Sequence, residues 1–166
     1  MNNFEWVALA SQTGEVYADG NIIVAHNDVS MHWAPSAVPS GIYTSESDMI
    51  RNRVAFGKNF TAIAYEKIPK NPMSKFKLTP EIIKREGDST FISLPFRFKS
   101  IQIKENEFNL EPLILEFDNH YLDPILSGED GVPDAECDNS RDGLVIKHGN
   151  GRCAMILPVL DNTTSK

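Results

Sequence analysis

Four apolar side chains, Ile92, Leu94, Phe96 and Phe98, alternate with Ser93, Pro95, Arg97 and Lys99. A period of two places the two sets on opposite faces of an extended strand, one to bury and one to wet. Pro95 has no N–H for a ladder bond, so this strand is expected at a sheet edge or with a bulge. After Lys99 the apolar positions become Ile101 and Ile103. The parity has changed, which predicts a bulge near Ser100.

The rest of the chain is punctuated in the same β-like way. Asp19-Gly20 separates Glu15–Ala18 from Asn21–Ala25, and Gly149-Asn150-Gly151 separates Leu144–His148 from Arg152–Leu157. Asp-Gly and Asn-Gly supply the positive φ that tight hairpin turns require, so both read as hairpins. Phe4–Ala10, Phe60–Glu66 and Leu113–Phe117 read as further strands. Two short helices are expected. One starts at Ser45 and ends by Gly57, and the other starts at Thr79-Pro80-Glu81 and stops at Gly87. Residues 27–45 and 67–80 read as long Pro-rich loops. No sequence repeat is visible at a solenoid period.

These elements predict a mainly β fold, an antiparallel barrel or sandwich with one or two short helices and long Pro-rich loops. Residues 1–166 read as a single β-rich domain, with 127–143 as an acidic Gly/Asp-rich loop within it. A chain of this length buries enough surface to fold without staples. The N-terminal residues show neither a basic region nor a long apolar run, and no segment approaches a membrane span. A soluble protein is expected, cytoplasmic at synthesis or assembled into a virion, with Cys137 and Cys153 as reduced thiols.

Net charge is −7. An acidic surface repels phosphate backbones, so nucleic acid is disfavoured as a partner. The basic concentration Lys67, Lys70, Lys75, Lys77, Lys84 and Arg85 is interrupted by prolines and acids and reads as a solvated face. The phosphate-binding and nucleophile-elbow motifs G-x-G-x-x-G, G-x-x-x-x-G-K-[ST] and G-x-S-x-G are all absent.

Three groups of residues could carry chemistry. With Asn150-Gly151 as a two-residue turn, His148 would face Cys153, about 5 Å apart at Cβ, and a neighbouring imidazole can generate a thiolate. Asp138-x-Ser140-x-Asp142-Gly143 matches the opening of a calcium loop, with Asp134 and Glu136 as substitute ligands, although Gly149 stands where a bidentate Glu belongs. Otherwise no cofactor is expected. His26 and His32, with Asn27 and Asp28 between them and Trp33 as a wall, form a polar cluster that could hold a metal or ligand.

Val38-Pro39-Ser40-Gly41-Ile42-Tyr43 resembles the Pro-x-Gly-x-Tyr segment of L,D-transpeptidase domains, and His148-Gly149 and Cys153 follow in that family's order. The resemblance implies a β-rich enzyme acting on peptidoglycan peptides through an acyl-cysteine. The chain departs from the family in a short gap after His-Gly and in having Arg152 directly before Cys153.

The leading expectation is a non-catalytic protein-interaction or structural module. It would be a subunit of a phage, virion or other assembly, partnered by other subunits or by copies of itself. Phe4, Trp6, Trp33 and Tyr43 are its candidate interface anchors, because aromatics carry much interface energy. Such a subunit should expose an apolar patch or a free sheet edge when isolated. The alternatives are a Cys/His-dependent hydrolase or acyl transferase, and a small acidic inhibitor that mimics phosphates with the acids of 129–142.

Overall fold

A computed structural model describes residues 1–45, 48–51, 74–127, 131–137 and 143–159. Its first element is helix α1, Asn3–Ala8, where a strand was expected. Asn2 is extended and its Oδ1 accepts the Glu5 N–H at 2.7 Å, the arrangement of a helix N-cap. Phe4, Val7 and Ala10 recur every third residue and are buried with Trp6. A short apolar run fits helix and strand alike, and here the cap decides.

The first hairpin joins β1 (Val16–Ala18) to β2 (Ile22–His26), with Ala18 opposite Ile23. Gly20 has φ 95° and sits at the first central position of the turn, so the pair is Gly20-Asn21, not Asp19-Gly20. The Asp19 carboxylate instead accepts the N–H groups of Asn21 and Ile22, both at 2.8 Å.

Residues 27–45 are not a loop. Asn27 Oδ1 accepts the N–H groups of Val29 and Ser30 and closes a turn into β3 (Ser30–Pro35). After a short connection comes β4 (Gly41–Ser45), which pairs with β5 (Asp48–Arg51). The helix expected from Ser45 is therefore a strand where it is described; its remainder and the strand expected over 60–66 lie outside the described residues. β3 is buried on both faces from Ser30 to Ala34. A strand buried on both faces need not alternate, and with Ser30 and His32 inside it hides from a periodicity test.

β6 (Ser74–Lys77) leads to a 3-10 turn at Pro80–Ile82. The helix expected from Thr79 ends there, because Ile83–Glu86 continues as β7 and pairs with the next strand. That strand, β8 (Ser89–Lys104), and its partner β9 (Glu107–Asp118) form the longest hairpin in the fold. Asp118 caps α2 (Asn119–Leu126) by accepting the His120 N–H at 2.9 Å. Within the expected acidic loop lies another strand, β10 (Asp134–Cys137). β11 (Leu144–Lys147) and β12 (Cys153–Ile156) form the expected closing hairpin.

Nine described strands form one antiparallel sheet in the order β5-β4-β1-β2-β3-β12-β11-β10-β6, and β7-β8-β9 form a second. Among the described residues no barrel closes; the arrangement is sandwich-like, with both described helices beside the small sheet on one face of the large one. The large sheet is duplicated in form. α1 precedes the meander β1-β2-β3, α2 precedes β10-β11-β12, and β3 and β12 pair at its centre. The main core joins Trp6, Val7, Ile23, Ala34, Ile92, Leu94, Phe117, Leu122, Ile125, Ile146 and Ile156. A smaller cluster of Val24, Met31, Trp33, Val145 and Met155 lies on the opposite face. No helix among the described residues is long and apolar enough to cross a membrane.

Candidate functional site

The β11–β12 turn decides the fate of the Cys/His pair. His148 C=O accepts the Gly151 N–H at 3.1 Å, and the His148 N–H reaches the Arg152 carbonyl at 2.8 Å. Gly151 has φ 91°. This is a three-residue loop with the left-handed residue last, and it adds one residue to the count assumed for a two-residue turn. Cys153 therefore pairs with Lys147, and His148 falls on the other face. His148 is buried with its Nε2 2.8 Å from the Ile125 carbonyl, while its Nδ1 has no hydrogen-bond partner. Burial pushes the Cys153 thiol above its ordinary pKa, against a smaller opposing pull from Lys147. Burial thus works against the thiolate, and the two side chains, on opposite faces, do not form a dyad.

The proposed anchors are used internally. Phe4, Trp6, Trp33 and Tyr43 are all buried in this chain. Trp6 donates its indole N–H to the Pro124 carbonyl at 3.0 Å, stacks on His32 with ring centroids 4.4 Å apart, and meets His148 edge-on. It ties α1, α2 and the sheet together. His32 Nδ1 lies 3.0 Å from the Trp6 carbonyl, and desolvation lowers the His32 pKa to about 4. At neutral pH His32 is thus uncharged and donates from Nδ1.

His26 pairs with Met31 across the strands and stacks on Tyr17, on the face opposite His32. The two histidines do not converge on one ion. Asp138, Ser140 and Asp142 lie outside the described residues. Asp134 is bridged to Lys77 at 2.6 Å, and Glu136 is buried against Lys147 at 3.0 Å, so both substitute ligands are already paired. No group of three metal-ligating side chains occurs among the described residues. The described members of the basic concentration are likewise paired, Lys75 with Glu136, Lys77 with Asp134, Lys84 with Glu86 and Arg85 with Asp123.

The feature that stands out is the β8–β9 ribbon. At its base, Ile92, Leu94, Leu115 and Phe117 face the core. The pairing then jumps from Leu94↔Leu113 to Phe98↔Pro112, which leaves residues 95–97 as a three-residue bulge. A bulge at Pro95 is one of the two settings expected for it, and the bulge expected near Ser100 is absent, because the ladder there is regular. An odd insertion flips a strand over. Phe98 thus lies on the outer face with Pro112, beside Leu110 and Phe108, the partners of Ser100 and Gln102. The charged pairs Lys99↔Glu111 and Lys104↔Glu107 lie elsewhere, the first on the opposite face. Phe96, Phe98, Ile103, Phe108, Leu110 and Ile114 are each 53–68% exposed. Isolated exposed apolar residues are ordinary, but a group on one projecting element marks an interaction surface. The alternation of Phe108, Leu110, Pro112 and Ile114 carries the sequence signal of a strand that begins well before Leu113.

A second apolar feature is an open groove of about 520 Å³ lined by Leu78, Pro80, Ile83, Leu126, Val132 and Pro133, with Arg85 also lining it. A smaller cavity of about 240 Å³ lies between the helix ends and is lined in part by Asn27, Ser30, His32 and His120.

The fold is thus an antiparallel sandwich that carries an exposed apolar ribbon and an open apolar groove. The sequence matches no protein-family model and no curated protein. The fold does match solved structures. A Helicobacter pylori beta clamp in complex with 5-chloroisatin matches with a TM-score of 0.53 at 10% identity, over 95% of this chain and 63% of that one. The same clamp bound to a DNA ligase peptide matches with a TM-score of 0.51 at 9% identity, over 95% and 62%. The beta subunit of DNA polymerase III from Thermotoga maritima matches with a TM-score of 0.51 at 8% identity, over 95% and 63%. The likeness is one of fold, and this chain spans under two thirds of each of those chains.

Proposed function

We propose that this chain is a non-catalytic protein-interaction subunit of a multi-protein assembly, with the outer face of the β8–β9 ribbon as its docking surface. The observation that carries this reading is a projecting ribbon with six large apolar side chains each more than half exposed, four of which, Phe98, Phe108, Leu110 and Ile114, share its outer face. A two-stranded ribbon is marginal in water without a partner on its apolar face. The fold match to beta clamps, one of them bound to a DNA ligase peptide, supports a protein-binding role. Neither of the two described helices carries a Lys or Arg, and net charge is −7, so among the described residues a nucleic acid finds no basic helix face. Nothing in the fold favours a virion over any other assembly.

The test is site-specific photo-crosslinking in cells that make the chain. A photoreactive residue at Leu110 should yield protein adducts, and one at Glu111, on the opposite face, should yield far fewer. Equal yields at both positions, or none, would remove the ribbon from the proposal. The groove at Leu78, Ile83 and Val132 supports a second contact of the same kind, an extended peptide with an apolar anchor. Val132→Arg should weaken peptide binding there without changing crosslinking from Leu110.

A further inference from the structure

We infer that the molecule covering the ribbon is a second copy of this chain, packed face to face on the outer surface of β8–β9. This rests on the reading of the ribbon as a docking surface and specifies its occupant. The first argument concerns which part of the ribbon is available. Each strand carries a proline, Pro95 in β8 and Pro112 in β9. A proline offers no ladder donor and discourages strand addition at an edge. The occupant therefore lies on the face rather than extending the sheet.

The second argument is charge. From Phe96 to Pro112 the ribbon carries Arg97, Lys99 and Lys104 against Glu105, Glu107 and Glu111. The tip is locally neutral on a chain of net charge −7, and its outer face holds only Ser100 and Gln102 among the apolar residues. A basic partner gains nothing at such a surface. Two copies, which repel one another elsewhere, repel least where these tips meet. The third argument is area. Half-exposed side chains of this size offer roughly 100 Å² each, so the four that the register places on the outer face, Phe98, Phe108, Leu110 and Ile114, provide about 400 Å² of apolar surface. Pro112, the rim and backbone atoms bring this toward the roughly 600 Å² per partner of the smaller specific interfaces. A two-fold axis through the face makes the patch its own complement and closes the assembly at two.

Sedimentation equilibrium of the full chain tests this, with Leu110→Glu against Asn109→Glu, which adds the same charge to the opposite face. The wild-type chain and Asn109→Glu should dimerise with similar constants. Leu110→Glu should weaken the dimer by about a hundredfold or more, as expected for a desolvated central contact. Leu110 is exposed in the single chain, so the variant should keep its circular dichroism; Phe108→Ser provides a second variant without added charge. A wild-type chain that stays monomeric into the submillimolar range overturns the second copy as occupant. If that monomer also binds a hydrophobic dye, and Leu110→Glu abolishes the binding, the docking surface stands and only its occupant is wrong. If the monomer binds no dye, both readings fall. A dimer that Leu110→Glu and Phe108→Ser leave intact overturns the ribbon as its interface.

Discussion

The base and the tip of the β8–β9 ribbon share two strands and one alternating pattern, yet Ile92 and Leu94 are fully buried while Phe96 and Phe98 are 68% and 53% exposed. The base has the large sheet and both helices behind it. The tip runs beyond β7, which stops opposite Ile92, and beyond the bulge its apolar set turns away from the core. Alternation establishes that a strand has an apolar face. It does not say who covers that face, because the cover comes from elsewhere in the chain or from another molecule.

The largest effect belongs at the base. Leu94→Ala should cost about 3 kcal/mol, the transfer energy of the lost methyl groups plus a residual cavity. Urea unfolding, followed by the change in midpoint at constant slope, measures it. A cost below about 1 kcal/mol would mean that the base is as poorly covered as the tip.

Acid provides a second contrast, because the core holds a buried neutral imidazole. His32 titrates near 4 in the fold against 6.5 as a free side chain. As pH falls, the unfolded chain takes up this proton first, so the fold is destabilised through that window. The contribution is complete above the unfolded pKa, lost as pH falls toward the folded value, and flat below it. Its full size is about 3 kcal/mol. His32→Gln should flatten the profile while allowing a side-chain amide to donate to the Trp6 carbonyl. Urea midpoints measured across that pH window check this, and an unchanged slope in the variant would assign the acid sensitivity to other groups.

A smaller effect is expected at the turn between Lys104 and Glu107. Asn106 has φ 65°, the left-handed region that Asn tolerates better than most residues. Asn106→Ala should cost about 1 kcal/mol. In a chain whose tip is held only by its own turn and ladder, that cost should appear as faster amide exchange over the tip, with the base unchanged.

How much of this could be read from the sequence varies by element, for physical reasons. The β class, both turn-marked hairpins and the disruption at Pro95, as an edge or a bulge, were legible because they depend on local chemistry: positive φ, a missing N–H, a period of two. The Phe4–Ala10 helix and β3 were not. A short apolar run fits either structure, and a strand buried on both faces loses its alternation. The candidate sites depended on long-range register. One extra residue in the 149–151 loop moved His148 and Cys153 to opposite faces, and burial in the core claimed Phe4, Trp6, Trp33 and Tyr43. The docking ribbon was half legible. Its strand was read, but exposure is a property of what is missing above it, which no local pattern records.

The smallest effect is the sharpest test of the contrast. Leu110→Ala removes as many carbon atoms as Leu94→Ala, from a side chain 67% exposed on the outer face of β9. Measured below the concentration at which copies associate, it should change unfolding free energy by less than about 0.5 kcal/mol, because little area leaves water when the chain folds alone. Measured where copies do associate, the same substitution should lower the apparent midpoint, since a partner that binds only the folded chain stabilises it by mass action. A large cost at high dilution would mean that the chain covers its own tip. A negligible cost at every concentration would mean that nothing does, and the ribbon would then have to find its cover in a protein other than itself.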